Sequence, residues 1–225
     1  MKLNKPNTRT PEYLTMELNY INIIDYLGTF AFAISGIRMA ASKRFDWFGA
    51  YVVGLVTAIG GGTTRDLMLG ITPFWMIQPS YLIVTGIALL FVIVFGKWVV
   101  RLNYTIFMFD AIGLGLFVVV GIDKTITHGF PAWVAVAMGM ITGSVGGIIR
   151  DVLINQVPLI LRKDIYAMAC IIGGLIYFAC IRMNFSPFAT QSVSLVSVIL
   201  IRVLSARYHI GLPLLKYQEE DKPEN

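Results

Sequence analysis

Seven long apolar runs follow one another along the chain, each separated from the next by a short segment carrying charges, proline or glycine. A helix needs about 20 mostly apolar residues to cross the hydrocarbon core of a bilayer. The windows that meet this requirement are 21–41, 48–70, 80–100, 104–123, 132–155, 165–183 and 190–208. The pattern predicts an all-α polytopic membrane protein with seven transmembrane helices, called spans 1 to 7 in chain order.

Composition excludes a water-soluble domain. Hydrophobic residues make up 56% of the chain and charged residues 14%, whereas soluble domains carry about 25% charged residues. A formal net charge of +5 could favour nucleic-acid binding in a soluble protein. Here the basic residues lie between apolar runs, where they set membrane topology, so the expected partner is the lipid bilayer and not nucleic acid.

The distribution of Lys and Arg predicts the orientation. Eleven lie on one side of the predicted spans and five on the other. The positive-inside rule then places the polar segment 1–20 outside and the charged tail 209–225 in the cytoplasm. Arg202 and Arg207, near the end of span 7, are expected to extend to the lipid headgroups.

An internal repeat divides the membrane part. With an offset of 85 residues, 17 of 69 positions from Tyr20 to Ala88 are identical without a gap, and many of them are Gly, Asp, Arg or Pro. The predicted units are a first three-helix repeat over 21–103, a second over 104–185, and span 7 over 186–208. Because each repeat has an odd number of spans, the two copies are expected to be inverted, as in many transporters. The pairs used below are Asp25 with Asp110, Thr57 with Thr142, Gly61-Gly62 with Gly146-Gly147, Arg65-Asp66 with Arg150-Asp151, Pro73 with Pro158, and Tyr81 with Tyr166.

Glycine clusters occupy equivalent places in spans 2 and 5. They are Gly60, Gly61 and Gly62 in span 2, and Gly146 and Gly147 in span 5. Glycine weakens a helix and permits either a kink or a close approach of two backbones. A broken helix is tolerated in a bilayer only where protein or a water-filled cavity satisfies the freed backbone groups. We expect kinks that line a pathway, with tight helix packing through small residues as the alternative.

Each glycine cluster is followed by an Arg-Asp pair, Arg65-Asp66 and Arg150-Asp151. Charges inside a bilayer are costly, so these should face a cavity or one another. They favour two related constrictions or gates at opposite ends of the protein, and structural ion pairing between the repeats is compatible with that role.

Two further carboxylates and five hydroxyls are weaker candidates. Asp25 and Asp110, in spans 1 and 4, would attract cations or pair with an arginine, or would only favour the positive end of a helix. The hydroxyls could coordinate a dehydrated ion, although such side chains often bond to their own helix. They belong to Thr57, Thr63, Thr64, Thr142 and Ser144. With no nucleophile–base arrangement, phosphate-binding loop or metal cluster in the sequence, we expect neither an enzyme nor a bound cofactor.

The duplicated Gly-Gly-x-x-Arg-Asp motif, Gly61 to Asp66 and Gly146 to Asp151, resembles the prokaryotic branch of the trimeric intracellular cation (TRIC) channel family. The same bacterial group is catalogued as inner-membrane proteins with a glycine-transporter domain. The resemblance covers roughly 20–208. It implies a homotrimer in the prokaryotic plasma membrane, with one potassium-permeable pore per protomer lined by kinked spans 2 and 5.

The leading hypothesis is therefore a monovalent cation channel, chiefly for K⁺ and with Na⁺ also able to permeate. The carboxylates would favour cations, and Arg65 and Arg150 would organise the constrictions. The alternative is a secondary transporter for a small zwitterion such as glycine, since inverted repeats with broken helices are equally typical of transporters. A lipid-scrambling or purely structural protein is a third class.

Overall fold

The computed structural model describes residues 11–101, 104–162 and 165–211, with the backbone alone for 11–19 and 97–101. Most of the predicted tail and the first ten residues lie outside these ranges. The helices are α1 Pro11–Ser42, α2 Trp47–Met68, α3 Phe74–Ile77, α4 Ser80–Arg101, α5 Thr105–Thr127, α6 Ala132–Leu153, α7 Ala167–Arg182 and α8 Pro187–Tyr208, and a 3₁₀ turn covers Leu159–Leu161.

The long helices correspond to the seven predicted windows, with two differences. Helix α1 begins at Pro11, so the polar segment 1–20 is helical from that residue onward, and its place outside the membrane stays a prediction. The short helix α3 and the 3₁₀ turn were not predicted. They begin after Pro73 and Pro158, which are equivalent in the two repeats. In both places the backbone N–H of the first helical residue bonds the Asp of the preceding Arg-Asp pair, which explains why both begin there.

Among the described residues, four helices are long and apolar enough to cross a membrane: Tyr20–Ser42, Thr105–Thr127, Ala132–Leu153 and Pro187–Tyr208. Two further apolar helices, Ser80–Gly96 and Ala167–Arg182, are shorter. Helix α2 has the same 22-residue length as α6, but its glycines and threonines lower its hydropathy. The protein is thus an all-helical membrane protein, and the count of seven spans stays a prediction.

The helices pack as two three-helix units that face one another. In the first unit α1 contacts α2 and α4, and in the second α5 contacts α6 and α7. The units meet through α1 against α5 and α2 against α6, so the first two helices of each unit pack on their own counterparts. At the first of these contacts the equivalent residues Phe32 and Phe117 meet edge to face, with ring centroids 5.1 Å apart. Helix α8 has no counterpart and packs on α5 and α7.

The glycine clusters are where α2 and α6 cross. A Cβ atom on Gly61 would overlap the backbone oxygen of Thr142, and one on Gly146 would overlap the backbone oxygen of Thr57. These contacts are equivalent under the 85-residue offset, as a two-fold relation requires. Helical structure runs unbroken through both clusters. The close backbone approach is therefore observed at these glycines, and a kink there stays a prediction.

Candidate functional site

Asp66, at the end of α2, lies at the centre of a buried charge cluster. Arg65 donates from Nε to Asp66 Oδ1 at 2.8 Å, and the two side chains are 1% and 0% exposed. The Lys124 ammonium, from α5 in the other repeat, lies 3.1 Å from Oδ1 and 3.2 Å from Oδ2. The backbone N–H of Phe74 donates to Oδ2 at 2.9 Å. One carboxylate therefore holds two cations and anchors the start of α3.

Asp25 lies beside this cluster on α1. Tyr81 donates its hydroxyl to Asp25 Oδ2 at 2.7 Å, and its ring packs edge to face on Phe74 with centroids 4.4 Å apart. The cations of Arg65 and Lys124 lie 5.7 and 5.6 Å from the centroid of the Phe74 ring. An aromatic face stabilises a partly desolvated cation, so Phe74 helps to hold both.

A cavity of about 530 Å³ opens onto this cluster. We call this side of the molecule the cavity end. Helices α1, α4 and α5 and the segment around α3 supply its walls. Its polar lining side chains are Asn22, Asp25, Thr72, Gln78, Tyr81, Asp123, Lys124, Thr127 and His128. A volume of this size, lined by carboxylates, hydroxyls and an ammonium, suits hydrated ions or a small polar solute.

The second repeat builds a related cluster at the opposite end. Arg150 is fully buried and donates from Nε to Asp151 Oδ1 at 2.9 Å. Its Nη1 donates to Asp110 Oδ1 at 2.7 Å and to the Ser35 hydroxyl of α1 at 2.8 Å. The backbone N–H of Leu159 donates to Asp151 Oδ2 at 2.9 Å, as Phe74 does to Asp66. In both repeats, therefore, the Asp of the Arg-Asp pair holds the segment that follows its helix through the same carboxylate–backbone bond.

The two clusters differ in how the α1 or α5 carboxylate is bonded. At the cavity end Asp25 bonds Tyr81, whereas at the opposite end Asp110 bonds Arg150. The Tyr166 hydroxyl, which is equivalent to that of Tyr81, has no hydrogen-bond partner among the described residues. Lys124 also has no basic equivalent, because the offset places a methionine at position 39. The repeats thus share a framework and differ in charge.

This difference predicts unequal effects for two matched substitutions. Tyr81→Phe removes a hydrogen bond to a carboxylate and is expected to cost about 1.5–3 kcal/mol of unfolding free energy. Tyr166→Phe removes a buried hydroxyl without a partner and is expected to be neutral or slightly stabilising. Thermal unfolding of both variants in the same detergent checks the order, and equal losses would contradict it.

The five candidate hydroxyls bond to their own helices. Each donates to the backbone oxygen four residues earlier, at distances between 2.6 and 2.9 Å. The Thr63 hydroxyl also accepts a hydrogen bond from Trp75 Nε1 at 3.0 Å. Their donors are therefore used inside the helices, and only their oxygen lone pairs remain for an ion.

One sequence expectation about charge is wrong. Arg202 does not extend to the headgroups: it is 2% exposed, and its guanidinium lies 4.7 Å from the Tyr166 ring centroid and 5.1 Å from that of Phe107. Arg207, five residues later, is exposed as predicted. Packing against α5 and the segment before α7 draws Arg202 inward.

Sequence reasoning missed Lys124, Tyr81 and Ser35 as site residues. A signal existed for Tyr81, because it is identical to Tyr166 in the repeat alignment. The hydrophobic pattern places Lys124 in the loop after span 4. In the structure α5 continues to Thr127, so Lys124 lies on the helix and its side chain reaches the buried cluster. Nothing in the pattern distinguishes Ser35 from other small residues of α1.

Comparison with known proteins agrees with this architecture. A family model described as Glycine transporter matches twice, at residues 22–97 and 107–182. The inner membrane protein YadS of Escherichia coli K12 is 41% identical over 202 residues, covering 88% of this chain and 98% of YadS. A membrane protein of Vibrio cholerae is 40% identical over 200 residues, covering 88% of this chain and 84% of that protein.

A solved structure is also similar. The TRIC trimeric intracellular cation channel orthologue from Rhodobacter sphaeroides superposes with a TM-score of 0.80 at 31% identity, covering 85% of this chain and 99% of that one. Fold and site thus define a helical membrane protein built from two duplicated three-helix units around paired Arg-Asp clusters. The chain belongs to the prokaryotic TRIC family, the family that the glycine-transporter model describes.

Proposed function

We propose that the protein is a homotrimeric, potassium-permeable cation channel with one pore in each protomer. Family membership supports the channel class, and the R. sphaeroides relative is a trimeric cation channel. The observation that carries the proposal is the pair of related, buried Arg-Asp clusters, one of which faces a cavity of about 530 Å³. Buried charges inside a membrane protein usually mark an ion or substrate pathway.

The proposed topology has seven spans, α1, α2 and α4 to α8, with the two three-helix units inverted. Three observations support it: the 85-residue duplication, the packing of α1 on α5 and of α2 on α6, and the excess of Lys and Arg on one side. The N-terminus and the cavity end then lie outside, and the C-terminus lies in the cytoplasm. The inner-membrane relative in E. coli supports the bacterial plasma membrane as the location.

The proposed pathway runs from the cavity past Asp25 and Tyr81, between the two units, to Ser35 and the Arg150 cluster. Helices α2 and α6 form its centre, where Gly61 and Gly146 keep the two backbones close. The proposed kink positions are Gly60, Gly61, Gly62, Gly146 and Gly147. Asp25, Asp66, Asp110 and Asp151 favour cations over anions, and the oxygens of Thr57, Thr63, Thr64, Thr142 and Ser144 are proposed to assist.

Arg65 and Arg150 are proposed to limit how tightly the carboxylates bind a cation. Each neutralises a carboxylate that would otherwise hold a cation too tightly for it to leave, since conduction requires weak, multiple binding. Because Arg150 bonds Asp110 and Ser35 as well as Asp151, it also fixes the width of its constriction.

A transporter for a small zwitterion such as glycine is the second candidate, and one observation favours it. The cavity is lined by the carboxylates of Asp25 and Asp123 and by the ammonium of Lys124, which are complementary to an amine and a carboxylate respectively. Inverted repeats that meet at a polar site are also common in transporters.

Planar-bilayer recording of the purified protein in asymmetric KCl, followed by glycine on one side, separates the two. A channel is expected to give discrete current steps that reverse near the potassium equilibrium potential and ignore glycine. Silent bilayers together with saturable glycine counterflow in liposomes would replace the channel by the transporter.

Cysteine accessibility then tests where the pore lies. Thr72→Cys, in the cavity wall, should lose current when a charged, membrane-impermeant thiol reagent is added. Leu200→Cys, on the exposed face of α8, is the matched control and should not respond. The native Cys170 and Cys180 are buried, so the unmodified protein should give little background. Equal responses of the two variants would contradict the placement.

A further inference from the structure

At one pair of equivalent positions, the two repeats carry side chains of opposite charge. The 85-residue offset pairs Arg38 of α1 with Asp123 of α5. Asp123 lines the cavity and accepts a hydrogen bond from Gln191 Nε2 at 3.2 Å. Arg38 lies one turn beyond Ser35, which bonds Arg150, and is therefore at the opposite end. A duplication that retains Asp, Gly, Arg and Tyr elsewhere has thus reversed a charge between the two ends.

Helix α8 adds a second difference. Arg202 is buried against Tyr166, whose hydroxyl oxygen lies 3.2 Å from the position of a Cβ on Gly147. No carboxylate of the described residues lies within 4.0 Å of the Arg202 guanidinium, and its Nε has no hydrogen-bond partner there. Two aromatic faces compensate part of the desolvation of this cation. One positive charge is therefore added close to the Arg150 cluster.

The two ends consequently differ in formal charge. Among the described residues, ten charged side chains are buried or half-buried. The cavity end has three carboxylates and two cations, a net charge of −1. The opposite end has two carboxylates and three cations, a net charge of +1. The groups are Asp25, Asp66, Asp123, Arg65 and Lys124 at the cavity end, and Asp110, Asp151, Arg38, Arg150 and Arg202 at the other.

The positive-inside rule does not by itself explain this arrangement. That rule concerns basic residues at the ends of spans, where long side chains reach water. Arg38 is 9% exposed and Arg202 is 2% exposed, so both charges lie inside the protein, where their field is weakly screened.

We infer that Arg38, Asp123 and Arg202 make conduction asymmetric, so that cations enter from the cavity end more readily than from the opposite end. The inference rests on the proposed channel function. A negative mouth raises the local concentration of cations and a positive mouth lowers it. Current carried from the cavity end therefore exceeds current in the reverse direction at equal voltage and equal salt.

The test is a current–voltage curve in symmetric KCl at two concentrations. The screening length is about 10 Å at 0.1 M and about 3 Å at 1 M. We expect a ratio of forward to reverse current of roughly two or more at 0.1 M, a modest effect for field focusing by a charged cleft, and a ratio near one at 1 M. Side-specific thiol block of Thr127→Cys, in the exposed cavity rim, identifies the cavity end of each inserted channel.

Variants assign the effect to the three residues. Arg38→Gln, Asp123→Asn and Arg202→Gln should each lower the ratio at 0.1 M. Arg202→Lys keeps the charge and should keep the ratio. Arg207→Gln removes an exposed charge from the same helix and is the control that should change nothing. Because the three residues lie on three helices, misfolding of one variant still leaves two that decide the matter.

The outcomes separate this inference from the function on which it rests. Absence of current in every variant and in the unmodified protein would overturn the channel itself. Current that is symmetric at 0.1 M, or asymmetry that persists at 1 M and in all three neutralised variants, would overturn the inference and leave the channel standing.

Discussion

Arg150→Met is expected to lower the free energy of unfolding by about 3–5 kcal/mol, the usual cost of leaving a buried charge without its partner. Arg150 is the cation that bonds both Asp110 and Asp151, and no second cation contacts either carboxylate among the described residues. Removing it leaves two carboxylates buried in a low-dielectric interior. Titration with a denaturing detergent in mixed micelles measures the loss.

Arg65→Met is the matched control and is expected to cost less, about 1–3 kcal/mol. Lys124 remains 3.1 Å from Asp66 after this change and continues to compensate its charge. The double variant Arg65→Met with Lys124→Met should approach the cost of Arg150→Met. Equal losses of unfolding free energy for the two single variants would contradict the different ion pairing of the two clusters.

The second large effect is expected at the crossing of α2 and α6. Gly61→Ala and Gly146→Ala should each destabilise the protein by about 1–3 kcal/mol, because the added methyl group meets backbone that cannot move aside. The contact atoms are the backbone oxygens of Thr142 and Thr57. Thermal unfolding in detergent checks both, and the two-fold relation predicts similar losses.

Gly86→Ala is the matched control for this pair. Gly86 lies inside α4, and no atom in the described part of the chain lies within 4 Å of its Cβ position, so alanine there should be neutral or stabilising by up to about 1 kcal/mol. A loss at Gly86 as large as at Gly61 would show that the glycines act through flexibility and not through close packing.

Much of the architecture could be predicted from the pattern alone. The bilayer requires long apolar helices, and this requirement places the ends of α2, α4, α6 and α7 within two residues of the predicted windows. Helix α3 was not predicted, because four residues give no hydrophobic periodicity. Its start also depends on a tertiary contact, in which the backbone N–H of Phe74 donates to the Asp66 side chain.

The Arg-Asp pairs of the candidate site were predictable, but Lys124, Tyr81 and Ser35 and the bonds between the site residues were not. Repeat identity singled out Arg65, Asp66, Arg150 and Asp151, because intramembrane charge is rare and costly. Whether Asp25 binds an arginine or a tyrosine depends on the distance between helices, which the chain order does not contain.

The sequence by itself determined the membrane class, the long helices and the duplication, because the hydrophobic pattern and the 85-residue repeat are both properties of the order of residues. Only the tertiary structure decided that the backbones of α2 and α6 approach closely at Gly61 and Gly146, because that contact depends on the partner helix. It also decided that Arg202 points inward, because the aromatic rings of Phe107 and Tyr166 offer its guanidinium a better site than the headgroups. Local preference fixes the elements, and contacts between distant residues fix the chemistry.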